Sequence, residues 1–330
     1  MFHIGGDEGM KNRFQGCLFG LVVGDALGAT VEFMSVHEIK KRYGEQGITD
    51  FDRWGRFPAG FYTDDTQMSL ATAAGCIQAQ QREREKGICQ PVSAVYKSYL
   101  DWLQTQSDPE QVRAPGNTCL SALRSGRMGT VEKWINNSKG CGGVMRTAPA
   151  GLAYPPGRAF GEGVAFAAIT HGHPSGYLPA GILAEMIAHL IRGKPLTDAI
   201  DLSISPLLKY DGYRETLEGL ELARKLGASN VGTEECIRQI GEGWVGEEAL
   251  AISIYCALKF SNDWSGGTLA AVNHSGDSDS TGSITGAILG TFLGCEAIPK
   301  EWVRQVENAE GIEKIGMDMW RMFGRFQDET

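Results

Sequence analysis

The apolar residues of this chain recur mostly every three to four positions, as on one face of an α-helix. Few stretches alternate with the period of two that marks a strand. Glycine and proline mark the gaps between the periodic segments, as in "RFPAGFY", "RAPGN" and "YPPGR". The pattern predicts helices near 11–29, 65–80, 91–106, 116–127, 161–170, 176–192, 195–208, 213–226, 246–260, 264–273, 281–294 and 299–323. We therefore expect an all-α protein.

Two of the predicted helices carry glycine at every fourth position. The glycines are Gly16, Gly20, Gly24 and Gly28 in the first helix, and Gly282, Gly286, Gly290 and Gly294 in the second. Positions four apart share a helix face, so each series removes the side chains from one face and lets another backbone come close. Because a helical glycine costs about 1 kcal/mol relative to alanine, tight packing must offset the loss. We expect two central helices of a compact core, which could pack on each other.

The composition is that of an ordinary globular protein, with 330 residues, 42% hydrophobic and 22% charged. The net charge of −9 argues against non-specific binding to nucleic acid or to an anionic membrane. No repeat or long linker divides the chain, which predicts a single domain over 13–330, preceded by a short flexible extension over 1–12. The apolar run before Glu296 is too short and too rich in Ser, Thr and Gly to span a membrane. The eight scattered cysteines suit free thiols in a reducing cytosol, so we expect a cytoplasmic protein.

Two short acidic segments carry the candidate chemistry. "FYTDDTQMSL" contains Asp64 and Asp65, and "NHSGDSDSTG" contains Asp277 and Asp279, each pair flanked by hydroxyl side chains at the start of a predicted helix. Helix capping explains one such residue per helix but leaves adjacent carboxylates that repel each other. Carboxylates and hydroxyls together suit Mg²⁺, Mn²⁺ or Ca²⁺. We favour a metal site, and two ions over one because the carboxylates are so many.

The second segment does not fit an EF-hand loop. Asp277, Asp279, Thr281 and Gly282 would occupy positions one, three, five and six, but position twelve is Ile288, where a bidentate glutamate is required.

Other motifs are weaker when each is taken alone. "GEGWVG" lacks the preceding strand of a dinucleotide-binding fingerprint. "SKGCGGVMR" is a glycine-dense loop that could direct backbone N–H groups to phosphate oxygens, although a plain tight turn explains it too. "THGHPSGY" can be read simply as a turn that ends a helix. A phosphate-holding loop beside a hard-metal site indicates a phosphorylated, sugar-bearing ligand.

Taken together, these segments resemble the ADP-ribosylglycohydrolase family. The resemblance lies in "GLVVGDALGATVEF", "TDDTQMSLATA", "GCGGVMR", "THGHPSGYLPAG", "GWVGEEALAISIYCAL" and "AVNHSGDSDSTGSITGAILG", in this order over about residues 16 to 294. The forms "GWVGEEALA" and "GDSDSTG" are most similar to the branch of ADP-ribosylarginine hydrolases and the glycohydrolase that reactivates dinitrogenase reductase. The resemblance implies a compact orthogonal helical bundle with a binuclear Mg²⁺ or Mn²⁺ centre.

The resemblance also implies roles for individual residues. The implied metal ligands are Thr63, Asp64, Asp65, Asp277, Asp279 and Ser280, with Asp279 shared by both ions and Glu32 as a further ligand. Asp65 and Glu32 are the candidate catalytic carboxylates. The residues implied to bind ADP-ribose are Ser138, Gly140, Cys141, Gly142 and Gly143 in the loop, His171 in the cleft, Trp244 at the adenosine end and Gly116 at the ribose end. Ser280 stands where many relatives carry threonine, and Cys141 where asparagine is often found.

The implied function is metal-dependent removal of ADP-ribose from modified proteins, by cleavage of the N-glycosidic bond to arginine. The expected partner is an ADP-ribosylated protein, and we expect a monomer that binds neither nucleic acid nor membranes. One alternative is a hydrolase of O-linked ADP-ribose, attached to serine or acetyl groups. Another is an immunity protein that occludes a cognate ADP-ribosyltransferase toxin. A purely structural family member would lack acidic ligands, and none of the four aspartates is missing.

Overall fold

The computed structural model describes residues 7–327, which form α-helices and two short 3-10 helices, with no strand in this range. The α-helices are α1 (Asp7–Gly28), α2 (Val36–Tyr43), α3 (Asp64–Lys86), α4 (Pro91–Thr105), α5 (Asn117–Arg124), α6 (Ala148–Ala153), α7 (Arg158–Ala168), α8 (Pro174–Ile191), α9 (Leu196–Leu207), α10 (Arg214–Gly227), α11 (Thr233–Ile240), α12 (Gly246–Lys259), α13 (Trp264–Val272), α14 (Ser278–Leu293), α15 (Lys300–Gln305) and α16 (Ala309–Gln327). The 3-10 helices are Cys141–Gly143 and Cys295–Ala297. The predicted all-α bundle is confirmed.

Most predicted helices are present within a few residues of their expected ends. The helices α2, α6 and α11 were not predicted, and each has only six or eight residues. The helix predicted over 299–323 was wrong as a single element, because α15 and α16 are separate. Between them the N–H of Glu307 donates to the carbonyl of Gly60 at 2.8 Å, and Asn308 has a φ of 55°.

The glycine series of α1 and α14 pack directly against each other. The facing pairs are Gly16 with Gly290, Gly20 with Gly286, and Gly24 with Gly282. In each pair a Cβ would collide with the partner's carbonyl oxygen. Because the numbers rise along one helix and fall along the other, the two helices are antiparallel. The predicted contact is confirmed, and it places the end of α1 at the beginning of α14.

The core surrounds this helix pair. Every residue of α1 from Phe14 onward is buried, as are Ser175–Ile191 of α8 and Ser278–Thr291 of α14. Among the described helices, none combines the length and apolar character needed to cross a bilayer. All eight cysteines have free thiols.

The expected N-terminal extension is described only in part. Residues 7–12 form the first turns of α1, and residues 1–6 lie outside the described range.

Candidate metal centre and ligand cleft

The first acidic segment opens helix α3. Thr63 is the N-cap, and its hydroxyl accepts a hydrogen bond from the Asp65 N–H at 3.2 Å. Capping is therefore done by Thr63. The side chains of Asp64 and Asp65 are nevertheless almost completely buried. The Asp64 carboxylate accepts a long bond of 3.3 Å from the N–H of Gly116.

A second capping group for α3 comes from α1, and sequence reasoning missed it. The buried Asp25 carboxylate accepts hydrogen bonds from the N–H groups of Thr63 and Thr66, each at 3.0 Å, and from the Thr66 hydroxyl at 2.5 Å. The only signal in the sequence is a lone carboxylate inside an apolar helix. Because Asp25 and Thr63 satisfy the helix start, Asp64 and Asp65 are not needed for capping.

The second acidic segment opens α14 in a similar way. Asp277 is the N-cap and accepts from the Ser280 N–H at 3.4 Å, while Asp279 accepts from the same N–H at 3.0 Å. The Thr281 hydroxyl contacts the Ala271 carbonyl at 2.7 Å and the Nε2 of His274 at 2.8 Å. Thr281 thus stabilises the turn.

The two segments meet because Asp25, near the end of α1, caps α3, and the antiparallel contact places the end of α1 at the beginning of α14. Glu32, Asp277 and Asp279 each place a carboxylate oxygen within 4.8 Å of the others. After burial, the charge of Asp279 is the largest cause that raises the pKa values of both Asp64 and Asp65 well above their usual range. The acidic cluster, defined here as Glu32, Asp64, Asp65, Asp277 and Asp279, is therefore one electrostatic unit.

This cluster fits divalent cations. Burial, followed by the charges of Asp279 and Asp277, raises the pKa of Glu32 to about 11. The Oδ2 atom of Asp65 is buried and has no hydrogen-bond partner among the described residues, which costs about 1–3 kcal/mol in a protein interior. A hard cation would supply both the missing partner and the compensating charge.

The glycine-dense loop lies against the acidic cluster. The thiol of Cys141 donates to Oδ2 of Asp277 at 2.7 Å, and the Ser280 hydroxyl lies 3.7 Å from the same sulfur. The loop is anchored by bonds from the Cys141 N–H to the Trp244 carbonyl and from the Gly140 N–H to the Ser138 hydroxyl, at 3.1 and 3.2 Å. The backbone N–H groups of Cys141 and Gly140 therefore donate to protein atoms and are not free to bind a phosphate.

His171 lies beneath this loop. Only 1% of it is exposed, and its ring is so close to Gly140 and Gly142 that a Cβ on either glycine would come within 3.1–3.3 Å of the ring. Burial, and then the charge of Arg146, lowers the pKa of His171 to about 3. His171 is therefore neutral and contacts the loop from the core side.

Arg146, which ends the loop motif, was not singled out from the sequence. It is fully buried, lies 4.4 Å from the centre of the Tyr99 ring and donates to the Thr170 hydroxyl at 2.6 Å. It brings a positive charge into the core behind His171.

The remaining predicted residues border the same region. Gly116 is the N-cap of α5, and the hydroxyls of Thr118 and Ser138 lie 3.1 Å apart, which ties α5 to the loop. The Trp244 ring stacks on Phe33, with the ring centres 5.1 Å apart. Phe33 was not identified from the sequence. All predicted site residues thus lie around one cluster and one loop.

Comparison with known proteins gives consistent matches over almost the whole chain. A family model described as ADP-ribosylglycohydrolase matches residues 7–328. The ADP-ribosyl-(dinitrogen reductase) glycohydrolase of Rhodospirillum rubrum is 28% identical over 302 residues, which cover 90% of this chain and 91% of that protein. The ADP-ribosylarginine hydrolase Tri1 of Serratia proteamaculans is 23% identical over 327 residues, covering 94% and 80%. A solved structure titled ADP-ribosylglycohydrolase-related protein complex aligns with a TM-score of 0.67 at 25% identity, covering 96% of this chain and 99% of that one.

Proposed function

Since the chain belongs to the ADP-ribosylglycohydrolase family, we propose that it is a metal-dependent hydrolase that removes ADP-ribose from modified proteins. We propose that the bond cleaved is the N-glycosidic bond between ADP-ribose and arginine. The observation that carries the proposal is the meeting of the two acidic segments, because helix capping alone does not account for four buried aspartates grouped with the half-buried Glu32.

The cations are proposed to be two Mg²⁺ or Mn²⁺ ions. The residues that would hold them are Thr63, Asp64, Asp65, Asp277, Asp279 and Ser280, together with Glu32. When bound, the ions supply positive charge that orients the ribose hydroxyls and stabilises charge in the transition state.

The protein's own carboxylates would handle the proton of the attacking water. Asp65 is one candidate base because its Oδ2 atom has no hydrogen-bond partner among the described residues. Glu32 is the other candidate base, since its carboxylate lies within 4.8 Å of those of Asp277 and Asp279. In the reaction the water oxygen bonds to C1 of the ribose, the C1–N bond breaks, and the guanidine leaves with its electron pair and a proton.

Binding of the ADP-ribose moiety is assigned to the loop and its surroundings. Ser138, Gly140, Cys141, Gly142 and Gly143 would hold the diphosphate and distal ribose. The cleft would be completed by His171 beneath the loop and by Gly116, with Trp244 at its border. The contact of Cys141 with Asp277 supports this assignment, because it joins the proposed diphosphate site to the reacting centre.

Arginine as the linked residue is supported by the name of one relative, the ADP-ribosylarginine hydrolase Tri1, at 23% identity. The name of the other, a glycohydrolase of ADP-ribosyl-dinitrogen reductase at 28% identity, supports a modified protein as the substrate.

The test measures ADP-ribose release from arginine-linked and serine-linked ADP-ribosyl proteins, with Mg²⁺, Mn²⁺ or EDTA. We expect cation-dependent release from the arginine-linked protein, lost in Asp279→Ala and kept in the matched control Asp101→Ala, whose carboxylate is exposed on α4. Release only from serine would overturn the arginine linkage. No release from any linkage, with cations bound normally, would favour a binding or immunity role.

A further inference from the structure

Phe33 has an unusual position for a large apolar residue. Its side chain is 69% exposed, and its backbone has a φ of 66°, in the left-handed region that bulky residues rarely adopt. Exposure and backbone conformation both cost free energy, and such costs concentrate at binding sites. The position therefore calls for a functional explanation.

The Phe33 ring is held by Trp244. The two rings stack with their centres 5.1 Å apart and their planes inclined by 19°. The indole N–H of Trp244 donates to the carboxylate of Glu242 at 3.1 Å, which places a negative charge beside the pair. Phe33 and Trp244 thus form an aromatic platform with an acidic edge.

This platform borders the acidic cluster. Phe33 directly follows Glu32, and its N–H donates to the carbonyl of Gly276 at 3.4 Å, one residue before Asp277. The N–H of Asp277 in turn donates to the carbonyl of Glu242 at 2.8 Å. The segments that carry the platform and the cluster are therefore bonded to each other.

We infer that the Phe33–Trp244 platform binds the guanidinium group of the target arginine, which is the leaving group of the reaction. The inference rests on the proposed function and adds the residues that recognise the protein side of the bond. A guanidinium is planar and cationic, so it gains both from stacking on an aromatic face and from the nearby carboxylates. A diphosphate would be repelled by Glu242, and a neutral adenine would gain less from its negative charge than a cationic guanidinium does. Trp244 then supports Phe33 and would not line the adenosine end.

The experiment compares Phe33→Leu, which keeps an apolar side chain without an aromatic face, with Phe33→Tyr, which keeps the face. For the arginine-linked substrate, we expect kcat/KM to fall about 2- to 30-fold in Phe33→Leu and to stay near the wild-type value in Phe33→Tyr. The affinity for free ADP-ribose, measured by calorimetry, is expected to be the same in all three proteins. Equal kcat/KM in all three would overturn the inference. A loss of ADP-ribose affinity in Phe33→Leu would assign the platform to the nucleotide and overturn it as well.

A binding measurement separates this inference from the proposed function. Calorimetry with an arginine-containing peptide and its citrulline counterpart needs no turnover, and citrulline keeps the planar group but loses the charge. We expect the wild type to prefer arginine about 2- to 30-fold and Phe33→Leu to lose the preference. If the wild type hydrolyses no arginine linkage but shows this preference, only the proposed function fails. If it shows no preference, the platform inference fails whether or not hydrolysis occurs.

Discussion

Gly20 of α1 and Gly286 of α14 face each other with no side chain between them, and a Cβ on either would collide with the carbonyl oxygen of the other. The contact brings the end of α1, with Asp25 and the following Glu32, to the beginning of α14, with Asp277 and Asp279. The packing of two helix backbones thereby determines where the carboxylates meet.

Alanine at Gly20 should therefore destabilise the protein. The substitution gains about 1 kcal/mol of helix propensity, but overpacking costs about 1–3 kcal/mol or more. Because the colliding atoms are backbone and cannot rotate away, we expect a net loss of about 2 kcal/mol in the free energy of unfolding, measured in urea. The matched control is Gly161→Ala in α7, where a Cβ meets no atom within 4 Å and alanine should be neutral or stabilising. Equal stability of the two variants would contradict the prediction.

Divalent cations should stabilise the wild type, and this effect should depend on Asp65. At a cation concentration one hundred times the dissociation constant, linkage gives about 2.7 kcal/mol of added stability. In Asp65→Asn the gain should shrink. In EDTA, however, this variant should be at least as stable as the wild type, because a neutral amide replaces a buried carboxylate that Asp279 and Asp25 repel. Thermal unfolding with Mn²⁺ and with EDTA tests both statements. A full cation effect in the variant would refute the first, and a lower melting temperature than that of the wild type in EDTA would refute the second.

Removal of the Cys141 thiol should weaken the metal centre. The thiol donates to Asp277 at 2.7 Å, and loss of a hydrogen bond to a ligand typically costs about 10- to 100-fold in metal affinity or activity. We expect Cys141→Ala to need more Mn²⁺ for half-maximal activity, and Cys141→Ser, which keeps a donor, to behave more like the wild type. If alanine and serine have the same Mn²⁺ requirement, the contact has no role in the centre.

His171 should make the protein sensitive to acid. Its pKa falls from 6.5 to about 3 in the folded protein, mainly through burial. Between these values the unfolded chain binds a proton that the folded protein does not. The free energy of unfolding is therefore unaffected by the protonation of His171 above pH 6.5. As the pH falls from 6.5 towards 3, it decreases by up to about 1.4 kcal/mol per pH unit. His171→Gln should reduce the slope of unfolding free energy against pH over this range. An unchanged slope would show that His171 does not cause the loss of stability in acid.

Long periodic segments and the glycine spacing could be predicted because they are local. Three short helices could not, since six or eight residues carry too little periodicity. The break between α15 and α16 was missed for another reason. The backbone of Glu307 bonds to Gly60, and its carboxylate pairs with Arg113, both remote in sequence.

The two acidic segments were recognisable from the sequence as more than caps, because adjacent carboxylates are costly without a cation. Cys141 and Ser280 were noted as departures from the family pattern, but their contact across the loop was not foreseen. Asp25 was not identified from the sequence, because its role is to cap α3 from another helix.

By itself, then, the sequence determined the helical class, the close approach of two glycine-faced helices and the residue types of a hard-cation site. Each of these depends on residues near one another along the chain. Only the tertiary structure decided the antiparallel pairing of α1 with α14, the burial of His171 beneath the loop and the stacking of Phe33 on Trp244. These contacts join segments that are remote in sequence, and they form because their apolar surfaces are buried from water together. A local sequence pattern does not show which remote segment will be the partner.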